Sequence, residues 1–107
     1  MRSFTKKEIE KLFKTARRIA KESSCDLLIA PKTDSQAGLL VVTSRKVGNA
    51  PERNKIRRRL KAIFYENKLY EQAFDCIIIV KKAGNELSFD QWKTVLLEKL
   101  LAYSPKQ

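Results

Sequence analysis

Residues 75–82 read DCIIIVKK: an acid and a cysteine, then Ile77, Ile78, Ile79 and Val80 without a break, then two lysines. Four consecutive β-branched apolar residues favour a strand. The lack of alternation suits the interior of a sheet, covered on both faces or nearly so. A chain of 107 residues fits one domain with one modest core. Residues 1–107 are therefore read as a single domain, with this run as its clearest strand.

Upstream, residues 25–31 (CDLLIAP) and 37–44 (AGLLVVTS) are short apolar runs on either side of the turn formers KTDSQ. Length and composition predict two strands, expected to be antiparallel neighbours. Between them and the 75–82 strand, Pro51 starts a helix, since its missing N–H costs nothing in a first turn. Asn49 with Glu52 has the spacing of an Asx capping box. At 100° per residue, Ile56, Leu60, Ile63 and Phe64 fall on one third of the helix circumference, the core-facing stripe.

Downstream, a last helix starts at Ser88, with Gln91 completing a capping box and Leu87 and Trp92 placed as a staple. Trp92, Val95, Leu96, Leu100 and Tyr103 form its stripe, Trp92 as core anchor, and Pro105 lies beyond its end. At the other end, residues 4–24 (FTKKEIEKLFKTARRIAKESS) read as one helix. Thr5 and Glu8 have capping-box spacing and Phe4 and Ile9 staple spacing. Ile9, Leu12, Phe13, Ala16, Ile19 and Ala20 recur at helical intervals. Helix, strands, helix, strand, helix is the order of a small α/β (α+β) sandwich with about four strands.

The charge is lopsided. Lys and Arg number 23 against 12 Asp and Glu, a net charge of +11 with pI near 9.9. Self-repulsion of this size works against a compact state, so it points to an anionic partner, nucleic acid before an anionic membrane surface. No apolar run approaches the length of a bilayer span and the first residues do not resemble a signal peptide, so a soluble cytoplasmic protein without membrane association is expected. Cys25 and Cys76 form no CxxC pair and are read as reduced core thiols. There is no His, which removes the usual general base and the usual metal ligand together.

Cations go least balanced in residues 46–61 (KVGNAPERNKIRRRLK), where Arg53, Lys55, Arg57, Arg58, Arg59 and Lys61 face one acid, Glu52. Arg53 and Arg57 border the apolar stripe. Asn54, Arg58 and Lys61 follow one another on the adjoining face, with Tyr65 extending the row, and Lys55 and Arg59 lie on the far flank. A solvated helix would alternate signs at i+4; like charges there are destabilising unless something external neutralises them. Arginine adds bidentate phosphate recognition and Asn54 can reach a sugar or base edge. The pattern is that of a polyanion-binding face.

At these residues the chain resembles the bacterial ribonuclease P protein subunit. That family's signature runs Ser-Lys-Lys-x-Gly-Asn-Ala, a spacer, then Arg-Asn-Arg and a basic helix. Here Ser44-Arg45-Lys46-Val47-Gly48-Asn49-Ala50 supplies the first part, Arg53-Asn54-Lys55 the second, and Arg57, Arg58 and Arg59 the continuation. Phe13 with Arg17 and Arg18 after it, the 75–82 strand and the closing helix match as well. Lys55 stands in place of an arginine, Ile9 where a second aromatic is usual, and Leu40 where glycine is frequent.

The resemblance implies a two-layer sandwich of about four strands and three helices, like ribosomal protein S5 domain 2. It also implies a left-handed βαβ crossover, where general rules would give a right-handed one. It further implies a subunit of a ribonucleoprotein endoribonuclease that removes the 5′ leader of precursor tRNA, with hydrolysis performed by the catalytic RNA using Mg²⁺. No catalytic residue, no dedicated metal site and no small-molecule substrate are expected in the protein. The catalytic RNA is expected on Arg45, Lys46, Asn49, Arg53, Asn54, Lys55, Arg57, Arg58 and Lys61. The leader is expected in a cleft between the first helix and the sheet, on Lys6, Ile9, Phe13, Arg17 and Arg18.

For Phe13 the residues alone favour the core stripe; the resemblance puts Phe13 at the cleft and Leu12 in the core. The residues agree about catalysis, since Glu8, Glu10, Asp26, Asp34, Glu52, Glu66, Asp75 and Asp90 form no cluster in sequence. Two other readings remain: a structural RNA-binding protein of the ribosomal kind, and a metal-dependent nuclease acting alone, which would need acids clustered by the fold.

Overall fold

The structure is a computed structural model that describes residues 4–32 and 34–103, the last by its backbone alone. Its elements are α1 (Lys6–Thr15), β1 (Arg17–Lys21), β2 (Cys25–Pro31), β3 (Leu39–Val42), α2 (Ala50–Glu66), β4 (Phe74–Val80) and α3 (Phe89–Tyr103). Short 3-10 turns at Leu69–Glu71 and Lys82–Glu86 flank β4. Three helices and a four-stranded mixed sheet make an α+β fold.

All three capping boxes form. Thr5 and Glu8 exchange bonds of 2.8 and 3.2 Å, Asn49 and Glu52 two of 2.9 Å, and Ser88 and Gln91 of 2.8 and 3.2 Å. Each satisfies two N–H groups that a helix start leaves without partners.

The segment expected as one helix over residues 4–24 is two elements. α1 stops at Thr15, Ala16 is extended (φ −71°, ψ 146°), and Arg17–Lys21 form an edge strand. Arg17 pairs with Ile29 and Lys21 with Asp26, antiparallel, with an irregularity between Arg18 and Ala20. Ile19 and Ala20 fit a helical stripe by spacing, but they reach the core from the strand. Pairing with β2 outweighs the local periodicity.

The sheet order is β1-β2-β4-β3. The sequence led one to expect β2 and β3 as neighbours; they are not, because β4 inserts between them, antiparallel to β2 and parallel to β3. β4 is the interior strand that its unbroken apolar run implies, buried at every position except the half-buried Ile79.

Cross-strand register sorts the side chains onto two faces. Cys25, Leu27, Ile29, Leu39, Cys76, Ile78 and Val80 join Ile56, Leu60, Ile63 and Phe64 of α2 and Trp92, Leu96 and Leu100 of α3 in the main core. The expected two-layer sandwich is this sheet with α2 and α3. Trp92 is fully buried, as its reading as anchor requires; the side chain of Tyr103 and the whole of Pro105 lie outside the described residues. Large apolar side chains buried this completely contribute about 1.5–3 kcal/mol each. Burial pushes the Cys25 thiol up to about 11 and the Cys76 thiol higher still. Both are free cysteines.

α1 packs on the opposite face, where Leu12 meets Ala30 and Ile77. One short helix does not cover that face, and Leu28, Leu40, Val42 and Ile79 remain half-buried.

Candidate nucleic-acid interface

Residues 44–50 carry the chain from the edge strand β3 into α2. The Val47 N–H donates to the Ser44 carbonyl at 3.0 Å and Val47 is buried, while Arg45 and Lys46 stay exposed. Gly48 has a steric role, since a Cβ there would lie 2.6 Å from Glu52 Oε1 and 3.1 Å from Asn85 Nδ2. The Glu52 carboxylate fills that space, and its pKa is lowered, first by the Asn49 backbone N–H and then by the Asn85 amide. The one acid of the basic segment is thus committed to capping α2 and neutralises little of its polar surface.

Along α2, Ile56, Leu60, Ile63 and Phe64 are buried. Arg53 and Arg57 border them and are half-buried; Asn54, Lys55, Arg58 and Lys61 are exposed. Arg57 Nη1 donates to Asn54 Oδ1 at 3.0 Å, which holds the guanidinium along the helix surface. Arg59 differs. Its Nη1 donates to the Leu87 carbonyl at 3.0 Å, tying α2 to the entry of α3, so it serves the fold. The Arg53–Arg57 flank lies on the other side of the stripe, away from that tie.

Among the described residues none of the α2 cations is ion-paired with an acid, whereas Lys81 and Lys99 are, with Asp26 at 3.0 Å and Glu22 at 3.5 Å. The result is a cationic flank on one helix without internal counter-charge, suited to phosphates.

The residues expected at a cleft divide. On α1, Lys6 is exposed, Ile9 half-buried, and Phe13 exposed to 44% beside Leu12 at 2%. Arg18 is opposite Leu28 on the α1 face and lies 3.7 Å from Asp26. Arg17 is opposite Ile29, which belongs to the main core, so strand alternation turns it to the other face. Lys6, Ile9, Phe13 and Arg18 therefore share the α1 side of the sheet and Arg17 does not.

The sequence reading did not single out the half-buried strip of Leu28, Leu40, Val42 and Ile79 on that side. The i, i+2 spacing of Leu40 and Val42 was the available signal; only the sheet register adds Leu28 and Ile79.

Acids are scattered. Glu8 and Glu52 cap helices, Asp26 lies between Arg18 and Lys81, and buried Asp75 accepts the Gly38 N–H at 2.7 Å. Among the described residues no group of three or more acids or cysteines could hold a metal ion. No helix of the described residues is long and apolar enough to cross a membrane.

Comparison with known proteins identifies the family and the fold. The Ribonuclease P family model matches residues 2–103. The ribonuclease P protein component of Bacillus pumilus is 32% identical over 91 residues, covering 83% of this chain and 76% of the relative. That of Bacillus velezensis is 33% identical, covering 83% and 77%. The RNase P protein of Staphylococcus aureus superposes with a TM-score of 0.79 at 22% identity, over 95% of this chain and 94% of its own. That of Thermotoga maritima gives 0.73 at 26%, over 99% of both. With a family match over nearly its whole length and the same three-helix, four-strand fold, the chain belongs to the ribonuclease P protein family.

Proposed function

We propose that this chain is the protein subunit of a ribonuclease P ribonucleoprotein, promoting removal of the 5′ leader from precursor tRNA. The observation that carries the reading is the unneutralised cationic flank of α2, with Arg53, Asn54 and Lys55 of the family signature at its start. Arg45, Lys46, Asn49, Arg53, Asn54, Lys55, Arg57, Arg58 and Lys61 dock on the catalytic RNA. Each phosphate neutralised releases counterions, so binding is steeply salt-dependent. On the opposite side of the sheet, Lys6, Ile9, Phe13 and Arg18 receive the single-stranded leader, Phe13 stacking on a base and the cations lying beside the backbone. Arg17 joins them only by reaching round the edge strand.

The protein assists by charge and position. Its cations let two polyanions approach each other, and the Mg²⁺ that hydrolysis needs belongs with the RNA. Reconstitution tests this: purified protein is mixed with a bacterial ribonuclease P RNA and a precursor tRNA carrying a leader, at low and moderate Mg²⁺. Protein alone is expected to cut nothing. Protein with RNA is expected to cut at the mature 5′ end at Mg²⁺ levels where RNA alone is slow. Cleavage by protein alone would favour a nuclease. Binding without stimulation would favour a purely structural RNA-binding protein.

A further inference from the structure

Two tyrosines that the signature does not involve lie at the carboxyl end of α2, Tyr65 in its last turn and Tyr70 in the 3-10 turn that follows. Tyr65 is exposed to 62%, the most exposed large apolar side chain among the described residues. Its ring lies 5.6 Å, centroid to centroid, from that of Tyr70 and is tilted 36° to it, within the range of favourable aromatic pairs. Tyr70 is half-buried and packs on the main core. Tyr65 therefore rests on a ring that is itself held, and leaves much of its surface to solvent.

The turn between them is specific. Lys68 takes the left-handed conformation (φ 53°, ψ 35°), unusual for a residue with a side chain. Its N–H donates to the Tyr65 carbonyl at 3.2 Å, and its own carbonyl accepts the Glu71 N–H at 3.0 Å. The Tyr70 carbonyl accepts the Ala37 N–H at 2.9 Å, anchoring the far side of the turn to the segment before β3. Asn67 closes the helix through Nδ2 to the Ile63 carbonyl at 2.8 Å. The backbone on both sides of the ring pair is fixed, so little ordering remains when a ligand arrives.

Position supplies the ligand's identity. Asn54, Arg58, Lys61 and Tyr65 follow one another at spacings of four, three and four residues, one continuous row on the helix surface. Glu66 projects from the other flank. A row of cations ending in an exposed aromatic face is the pairing that binds unpaired nucleotides, phosphates on the charges and a base on the ring. We infer that Tyr65, backed by Tyr70, is a stacking site for an unpaired base of the RNA held by the cationic face of α2, separate from Phe13 on the other side of the sheet. The inference rests on the RNA-binding reading above.

The test is a titration of a bacterial ribonuclease P RNA, and separately of a plain RNA duplex, with wild-type, Tyr65→Ala, Tyr65→Phe and Phe13→Ala proteins at several salt concentrations. Tyr65→Ala is expected to bind the ribonuclease P RNA about tenfold more weakly, the order that base–aromatic stacking provides. Its salt slope should be unchanged because no phosphate contact is lost. Tyr65→Phe keeps the ring and should match wild type, and Phe13→Ala should leave this affinity alone. Duplex binding should be the same for all four proteins. Thermal melts beside each titration identify a Tyr65→Ala protein that fails to fold, in which case the ring is assigned by ultraviolet cross-linking of Tyr65 in the wild-type complex.

The stacking site is overturned if folded Tyr65→Ala binds the ribonuclease P RNA as wild type does, or loses duplex and ribonuclease P RNA affinity alike, or if no cross-link forms. Wild-type protein that binds neither RNA overturns the RNA-binding reading itself. Salt-dependent binding that ignores Tyr65 overturns only the stacking site.

Discussion

Leu12 and Phe13 are adjacent on α1, yet one is buried and the other exposed. Leu12 is 2% exposed against Ala30 and Ile77, whereas Phe13 is 44% exposed. Leu12→Ala removes atoms from a closed space and should cost about 2–5 kcal/mol, transfer and cavity together. Phe13→Ala opens no closed cavity, because solvent already reaches the ring. About half the transfer term of a buried phenylalanine is lost, roughly 1 kcal/mol, and the better helix propensity of Ala returns about half of that.

With about 2.1 cal/mol/K of unfolding entropy per residue, a chain of 107 residues loses roughly 4–5 °C of Tm per kcal/mol. Leu12→Ala should therefore lower Tm by about 10 °C or more, and Phe13→Ala by about 5 °C or less. Binding should invert the order. If Phe13 stacks on a leader base, Phe13→Ala loses about 1–3 kcal/mol of affinity, roughly five- to 150-fold, for the holoenzyme's precursor tRNA. It should lose almost none for mature tRNA, which offers no unpaired leader. The assay is a thermal melt of each variant beside equilibrium binding of precursors with and without a leader. A Phe13→Ala melt that falls as far as Leu12→Ala, with both substrates weakened alike, would refute the cleft assignment.

The α2 arginines should separate in the same way. Arg53→Ala with Arg57→Ala is expected to weaken RNA binding and flatten its salt dependence with little change in Tm. Arg59→Ala, which loses the bond to the Leu87 carbonyl, should cost about 1 kcal/mol of stability and leave the salt slope nearly intact; paired melts and salt titrations check both. Gly84→Ala would put a Cβ 2.8 Å from the Ser24 carbonyl oxygen, 2.8 Å from Val80 Cγ1 and 3.0 Å from Trp92 Cζ2. With backbone on one side and the buried indole on another, roughly 1–3 kcal/mol should be lost, visible in a denaturant titration. The capping carboxylate of Glu52 has a lowered pKa, so its contribution to stability is present above the ordinary carboxylate range and is lost as pH falls through the depressed value. Melts of wild type and Glu52→Gln should differ at neutral pH and converge on acidification; a constant difference would contradict the linkage.

What the sequence made legible was mostly local. Thr5 with Glu8, Asn49 with Glu52 and Ser88 with Gln91 each close within three residues, and all three boxes formed. The apolar stripes of α2 and the strand character of residues 75–82 were also readable without partners. The misread features depend on distant residues. Ile19 and Ala20 have spacing compatible with a helix or a strand, and only β2 decides between them. β2 and β3 read as neighbours until β4, more than thirty residues after β3, takes the place between them.

The site divides on the same principle. The cationic row of α2 is a property of one helix and could be read from its periodicity. That Arg59 serves the fold depends on a carbonyl 28 residues away. That Arg17 and Arg18 face opposite ways follows from the strand that replaced the expected helix.

The position of β4 also bears on how the molecule is made. β1 and β2 can meet early, but β3 has no partner strand until Phe74–Val80 exist, and β2 then gains its second neighbour in the same event. On a ribosome, synthesis runs from the amino end, so the β3–α2 segment with its basic helix emerges before the strand that closes the sheet. Non-local pairing of this kind is slow because the loop must be closed before any contact rewards it. The nascent chain therefore passes through a stage in which its basic helix has only part of its core to rest on, and closure waits for a strand encoded in the last third of the sequence.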